Sequence, residues 1–200
     1  MLTVAIIATG GTIAMTSTGE GAVPTESIDQ LLESYQLPSD EIDIRVEQVL
    51  YTDSSDLTLD DLVELSDRIR AVADDVDGIV VLHGTDTIEE TSYYLDVVLD
   101  LDIPIVLTGA QRRHDEVGSD GPANVQGAVR AAAHTHVDDG TYVYFADQLH
   151  AARPVTKQHS SNVSAYDSGE YGPIAEQTPD GFWFYREPKS LSVTIPCSEM

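Results

Sequence analysis

Three clusters of hydroxyl, amide and carboxylate side chains each follow directly after a short apolar run. They are TGGT at 9–12, HGTDT at 83–87 and TGAQ at 108–111. A threonine hydroxyl is a weak nucleophile that needs a positioned base. Backbone N–H groups beside two adjacent glycines are free to face an anion. These residue types therefore indicate a site where a hydroxyl group acts beside a bound, negatively charged oxygen.

Lysine supplies an independent clue, because Lys157 and Lys189 are the only two in the chain. Lys157 lies in the polar stretch PVTKQHSSN, which is able to fold back over a sheet edge. If it is held near Asp86 and a threonine in a partly dry cleft, its amino group could accept a proton from that hydroxyl. The alternative is an ordinary surface lysine.

Helix capping is the simplest alternative explanation of the HGTDT cluster. Asp86 or Thr87 would cap the helix that follows, with Glu89 and Glu90 at the positions of capping-box partners. Capping uses only one polar group, however, and leaves His83 unexplained at the end of a strand.

The sequence has no recognisable nucleotide or metal motif. Gly10, Gly11 and Thr12 could form a dinucleotide or phosphate loop, but neither GxGxxG nor GxxxxGKS is present. His134 and His136 could bind a metal, but a helix would point residues two apart in different directions, so surface histidines are the alternative. The single cysteine cannot form an internal disulfide, and no Cys/His spacing is typical of zinc. We expect no metal and no cofactor.

The elements that must position these clusters alternate between strands and helices. Apolar, β-branched runs predict strands at Val4–Ala8, Gly78–Leu82, Pro104–Thr108 and Tyr142–Ala146. Helical patterns cover about Ser27–Tyr35, Thr58–Val72 with a capping box to Asp61, Thr87–Leu99 and Pro122–Ala133. The pattern predicts an α/β fold, Rossmann-like and three-layered, with a parallel-dominated sheet flanked by helices. Since ligands bind beyond the carboxyl ends of such strands, the three clusters should converge on one edge.

The composition is strongly acidic, with 35 acidic and 10 basic residues and a net charge of −25. This charge argues against nucleic acid and against anionic membrane surfaces as partners. The apolar fraction of 42% favours a folded core, so the acidic residues are interpreted as a solvated coat suited to high salt. The start of the chain shows no secretion signal and no membrane span, and we expect a cytoplasmic protein.

Beyond about Asp147 the sequence becomes rich in Gly, Pro, Ser and aromatic residues. Val155–Tyr171 is interpreted as loop or short strands, and Phe182–Tyr185 as a final hairpin. We predict a domain over residues 1–185 and the start of an interdomain linker over 186–200.

Several longer motifs resemble the L-asparaginase family, the bacterial-type amidohydrolases that convert asparagine into aspartate and ammonia. The two signature motifs of that family resemble ATGGTIA (8–14) and GIVVLHGTDTIEET (78–91). The resemblance continues, in the family's order, through YTDSSDLT (51–58), PIVLTGAQR (104–112), SDGPANVQGAV (119–129) and PVTKQHSSNVSAYDS (154–168). It implies the amino-terminal catalytic domain of an asparaginase.

The resemblance also implies roles for individual residues. Thr12 would be the nucleophile, with Thr85, Asp86 and Lys157 as a second catalytic cluster. The substrate, L-asparagine or L-glutamine, would be bound by the residues Gly11, Ser54, Ser55, Asp86 and the backbone of Ala110. Ser55 stands where many relatives have glutamine, which bears on the preference between the two substrates.

The stretch TSTGEGAVPT (16–25) would act as a lid, or alternatively as a mobile acidic loop without a role. The tyrosine usual in the family's lid has no counterpart between Thr12 and Tyr35. The family continues into a smaller second domain, and the resemblance implies a homo-oligomer for the full-length form. Two alternatives remain: a catalytically impaired fragment that keeps the fold, and the amidase subunit of a tRNA-dependent amidotransferase.

Overall fold

A computed structural model describes residues 1–10, 15–18, 21–24 and 28–188, with the side chains of residues 1–10, 28 and 30–188. The strands are β1 (Leu2–Ala8), β2 (Met15–Thr18), β3 (Gly21–Pro24), β4 (Ile42–Gln48), β5 (Gly78–Leu82), β6 (Pro104–Thr108), β7 (Gly140–Phe145), β8 (Gln148–Ala151), β9 (Thr156–Lys157), β10 (Tyr166–Asp167), β11 (Ala175–Thr178) and β12 (Gly181–Phe184). The α-helices are α1 (Ile28–Ser34), α2 (Leu59–Ala73), α3 (Ile88–Val98) and α4 (Gly121–Ala132).

The main sheet has eight strands in the order β12-β11-β8-β7-β6-β5-β1-β4. The parallel part of the sheet consists of the five strands β7, β6, β5, β1 and β4, in that spatial order. The strands β8, β11 and β12 extend it beyond β7 through antiparallel pairs. The fold is therefore α/β with a parallel-dominated sheet, as the alternation of patterns predicts. The four predicted strands are present as β1, β5, β6 and β7.

Helices cover both faces of this sheet because its strands are apolar on both sides. On β1, Val4 and Ile6 face a core formed with α1 and α4, while Ala5 and Ile7 face a second core formed with α2 and α3. All five residues of β5 are buried. Burial on both faces is what produces a continuous apolar run in a strand, in place of alternation.

Helix α2 begins as its sequence predicts. Thr58 is the N-cap residue: its Oγ1 accepts from the N–H of Asp61 at 3.3 Å, and Asp61 Oδ2 accepts from the N–H of Thr58 at 2.8 Å. The two hydrogen bonds satisfy N–H groups that the first turn of a helix leaves without partners. The predicted capping box is confirmed.

The C-terminal part of the described chain forms antiparallel additions to the sheet. Val155–Tyr171 contains the short pair β9–β10. Phe182–Tyr185, predicted as a hairpin by itself, overlaps only the strand β12, and the other strand of the hairpin is β11. None of the helices within the described ranges has the length and apolar character needed to cross a bilayer.

Candidate active site

The strands β1, β5 and β6 are neighbours, and their carboxyl ends meet at one edge of the sheet. Backbone hydrogen bonds continue past the strand ends: the N–H of Thr9 donates to Leu82 O at 3.0 Å, and the N–H of His83 donates to Thr108 O at 2.9 Å. The described parts of the three polar clusters therefore lie side by side. This is the convergence that the parallel sheet predicts.

Lys157 reaches two residues of the HGTDT cluster. Its Nζ lies 3.0 Å from Thr85 Oγ1 and 2.8 Å from Asp86 Oδ1. The lysine side chain is 15% exposed and the Asp86 side chain 64% exposed, while Thr85 is buried. The ion pair thus joins a mostly buried lysine side chain to an exposed carboxylate. A surface lysine, the alternative considered from the sequence, does not describe this arrangement.

The backbone around Lys157 is also fixed by hydrogen bonds. Its N–H donates to Glu89 Oε2 at 2.5 Å, and the N–H of Gln158 donates to Ala165 O at 2.7 Å, beside the β9–β10 pair. Glu89 therefore binds the lysine segment, and this contact was not predicted. The sequence shows Glu89 only as a capping-box position, because the contact depends on a segment 68 positions away.

Ser54 anchors the loop that carries Thr85 and Asp86. Its Oγ accepts from the N–H of Asp86 at 3.3 Å, and its carbonyl accepts from the Thr87 hydroxyl at 2.8 Å. A Cβ at Gly84 would lie 2.4 Å from Ser54 Oγ, so only glycine allows this approach. Thr87 occupies the N-cap position of α3 but makes no side-chain capping bond. Its hydroxyl is used for the loop instead.

His83 is a buried, neutral support beneath the same loop. Its Nδ1 lies 2.7 Å from Gly84 O, and its Nε2 lies 3.0 Å from Thr91 Oγ1. Burial lowers the pKa of His83 to about 4. Because a carbonyl only accepts, Nδ1 carries the proton and Nε2 accepts from the Thr91 hydroxyl. The imidazole therefore links the loop to the first turn of α3.

The TGAQ cluster is fixed by two side chains of the next helical segment. Asn124 Nδ2 donates to Gly109 O at 2.9 Å, and its Oδ1 accepts from the N–H of Ala146 at 3.1 Å. The two carboxylate oxygens of Asp120 accept from the N–H groups of the two residues after Ala110, at 3.0 and 2.9 Å. Ala110 is itself buried, between these anchored groups.

Three predicted site residues remain, and the structure describes only one of them, Ser55. Gly11 and Thr12 lie outside the described residues. Gly10, just before them, has a φ of +106°, and a Cβ there would lie 2.7 Å from Thr52 O. Ser55 is exposed, with its Oγ 3.5 Å from Asp53 Oδ1.

The expected lid is described only as a backbone hairpin. Strands β2 and β3 pair antiparallel, from Met15 opposite Pro24 to Thr18 opposite Gly21. The hairpin's role as a lid stays a prediction.

The histidine pair considered from the sequence lies away from this edge. The rings of His134 and His136 are 5.7 Å apart, and His134 also packs 5.1 Å from the ring of Phe184. Across the described ranges, no three His, Cys, Asp or Glu side chains are grouped so as to hold a metal ion.

Tyr166 also contacts the site, and the sequence does not predict this contact. The hydroxyl of Tyr166 donates to the carbonyl of Thr85 at 2.5 Å. Tyr166 is buried and lies directly opposite Lys157 in the β9–β10 pair. The arrangement as a whole places an amino group between a threonine hydroxyl and a carboxylate, which is suited to proton transfer.

Comparisons with known proteins agree with the arrangement of these motifs. The asparaginase N-terminal family model matches residues 3–190. The L-asparaginase of Bacillus licheniformis is 36% identical over 189 residues, covering 92% of this chain and 58% of that protein. L-asparaginase 2 of Escherichia coli (strain K12) is 34% identical over 180 residues, covering 86% of this chain and 51% of that protein.

A crystal structure of a probable cytoplasmic L-asparaginase from Campylobacter jejuni superposes with a TM-score of 0.85 at 34% identity. The superposition covers 94% of this chain and 58% of that one. The chain therefore spans about half the length of the relatives it matches. With the family model matched over nearly all of its residues, the chain belongs to the asparaginase family, in the part that forms the N-terminal domain.

Proposed function

We propose that the edge formed by the three polar clusters is an amidohydrolase site that converts L-asparagine into L-aspartate and ammonia. The observation that carries the proposal is the contact of Lys157 Nζ with both Thr85 and Asp86 at the carboxyl edge of the sheet. Relatives named L-asparaginase support the reaction class. A glutaminase-asparaginase of Pseudomonas fluorescens biotype A, 34% identical over 197 residues, makes L-glutamine the second substrate to test.

In this proposal Thr12 Oγ attacks the side-chain amide carbon and loses its proton, while the amide nitrogen gains a proton and leaves as ammonia. Water then hydrolyses the resulting ester, which releases aspartate and restores the hydroxyl. In its neutral form, Lys157 would take the proton of the Thr85 hydroxyl while Thr85 takes a proton from the water that hydrolyses the ester, and this proton then passes to the departing Thr12 oxygen. Asp86 would hold the lysine in position. A positioned base of this kind contributes about 10²–10⁴ in rate.

The remaining predicted residues would bind the substrate. Ser54 and Asp86 would hold the carboxylate and amino groups, with Ser55 and Gly11 lining the pocket and the Ala110 backbone facing the amide. Asp120 and Asn124 hold the backbone on either side of Ala110, which supports the last role. A backbone group that is fixed before the substrate binds needs no reorganisation.

The experiment is an assay of ammonia release from L-asparagine in concentrated KCl, with Thr12→Ala as the variant. Loss of activity in this variant is expected. Thr178→Ala is the matched control, since Thr178 lies in the β11–β12 hairpin and its hydroxyl donates to Gly181 O and accepts from the N–H of Asp180, both within that hairpin. Unchanged activity in Thr12→Ala would exclude Thr12 as the nucleophile. Calorimetric binding of L-aspartate without any turnover would instead support a non-catalytic fragment.

A further inference from the structure

We propose that Tyr166 is a positioning residue that, together with Ser54, holds the peptide group between Thr85 and Asp86 in the orientation needed by Lys157. The inference rests on the proposed function, because it assigns a supporting residue to the same site. Its basis is the set of contacts around one peptide group.

Both ends of this peptide group are held. Its carbonyl, from Thr85, accepts from the Tyr166 hydroxyl at 2.5 Å, and its N–H, from Asp86, donates to Ser54 Oγ at 3.3 Å. A peptide group is planar, so a partner at each end fixes the direction of the whole unit. The two side chains that flank it are the two that contact Lys157 Nζ.

Tyr166 also contacts the segment that supplies the lysine. It is the register partner of Lys157 in the antiparallel pair β9–β10, which is only two residues long on each strand. The ring of Tyr166 lies 4.8 Å from the ring of Phe145, at the end of β7. One buried residue thus connects the central sheet, the lysine segment and the Thr85 carbonyl.

The hydroxyl of Tyr166 acts only as a donor in this setting. Burial, followed by the negative charges of Glu89, Asp86 and Glu90, raises the pKa of Tyr166 far above its usual range. The phenol therefore stays protonated at neutral pH, and its proton points to an atom that only accepts. It cannot serve as the catalytic base, and its contribution is the placement of the peptide.

The test is Tyr166→Phe, which keeps the ring beside Phe145 and removes only the hydroxyl. The matched control is Tyr142→Phe: the buried Tyr142 donates to the carbonyls of Asp138 and Asp139 at 3.2 and 3.1 Å, at the opposite end of the parallel strands. Both variants lose a buried hydroxyl that binds backbone carbonyls. Only Tyr166→Phe should lower kcat, by roughly 10–100-fold, as expected for a misplaced catalytic group, and by more than KM rises. Equal kcat values in the two variants would overturn the proposal.

A crystal structure of Tyr166→Phe provides a readout that does not depend on activity. We expect Lys157 Nζ to move beyond hydrogen-bond distance from Thr85 Oγ1 or from Asp86 Oδ1. If Nζ stays in contact with both atoms, Tyr166 does not position them, whether or not the protein hydrolyses asparagine. A displaced lysine in a protein whose wild type releases no ammonia would support the positioning role and reject the proposed function.

Ser54→Ala tests the other end of the same peptide, and remains informative if Tyr166→Phe does not fold. The variant removes the acceptor of the Asp86 N–H and keeps the backbone carbonyl that binds Thr87. The same displacement of Lys157 is expected. An undisturbed lysine in Ser54→Ala would show that the peptide needs no partner at this end, which contradicts the proposed clamp.

Discussion

Lys157 and Thr85 are 72 positions apart in the sequence, and 3.0 Å separates Nζ of the first from Oγ1 of the second. The lysine arrives on a strand of only two residues, outside the main sheet. Its position is set by contacts made by its neighbours, namely Glu89 with its N–H and Tyr166 across the strand pair. The geometry of the site thus depends on a short segment held by side chains.

Replacement of Lys157 by methionine should abolish most of the ammonia release from asparagine. Methionine keeps most of the apolar stem and removes the amino group, so the site loses its candidate base, an effect of about 10²–10⁴ in rate. Steady-state kinetics would measure the change. The control is Arg68→Met, which removes a cation paired with Glu47 at 2.6 Å, a contact between α2 and β4. An equal loss of activity in both variants would contradict a catalytic role for Lys157.

Asn124→Asp should loosen the loop that carries Ala110. The new carboxylate would place an acceptor where Nδ2 now lies, 2.9 Å from Gly109 O and 3.1 Å from Asp120 Oδ2. The buried Gly109 carbonyl would lose its donor, which costs about 1–3 kcal/mol of unfolding free energy. Urea unfolding and KM for asparagine would show the change, with KM expected to rise.

The matched control for this variant is Asn162→Asp. Asn162 is exposed, and its Oδ1 accepts from the N–H of Ser164 at 3.0 Å, a contact that a carboxylate retains. It should unfold like the wild type. If Asn124→Asp is equally stable, Asn124 does not anchor the loop through Nδ2.

Most of the sheet can be predicted from the sequence because its central strands are buried on both faces. β5 and β6 are found at the predicted residues, Gly78–Leu82 and Pro104–Thr108. β4 is not among the predicted strands because it lacks a continuous apolar run, although the alternation of its apolar residues with Asp43, Arg45 and Glu47 is the pattern of a strand buried on one face. The strands β8 and β11 are also missed, since each has four residues and polar side chains. Their pairing depends on neighbours that the local sequence does not specify.

The site is predictable only in part, for a similar reason. The position of polar clusters after parallel strands follows from topology, and the rarity of lysine draws attention to Lys157. The contact between Tyr166 and the Thr85 carbonyl depends on which residue of β10 lies opposite Lys157 in β9. Such register is set by the folded chain and has no signal in a stretch as irregular as Val155–Tyr171.

Two buried histidines predict how stability depends on pH. Burial lowers the pKa of His83 and of His150 to about 4, whereas the unfolded chain binds these protons near pH 6.5. Between these values these two residues bind more protons in the unfolded state, so their contribution to the free energy of unfolding is full above pH 6.5 and is lost as the pH falls to about 4. Each histidine contributes roughly 3 kcal/mol to this decrease. Urea unfolding at a series of pH values would measure it.

His150→Asn isolates one of the two contributions. Asparagine can keep the contact that His150 Nδ1 makes with Ser168 Oγ at 2.9 Å, and it has no proton to gain in this range. The decrease in unfolding free energy from pH 6.5 to 4 should become smaller. The control is His159→Asn, because the side chain of His159 is exposed in the folded protein. A pH dependence identical to that of the wild type would mean that His150 is not kept neutral by burial.

The excess of acidic side chains predicts that salt stabilises the folded protein. With a net charge of −25, the compact chain repels itself, and the unfolded chain relieves that repulsion. The range of charge interactions shortens from about 10 Å at 0.1 M salt to about 3 Å at 1 M, so the midpoint of thermal unfolding should rise with KCl. The variant that tests this explanation carries lysine in place of three exposed acidic residues, Asp74, Asp100 and Asp180. It should unfold at a higher temperature than the wild type in low salt and respond less to KCl. If both proteins respond equally to KCl, the stabilisation does not come from screening of the acidic surface, and a general effect of the salt on burial of apolar groups explains it better.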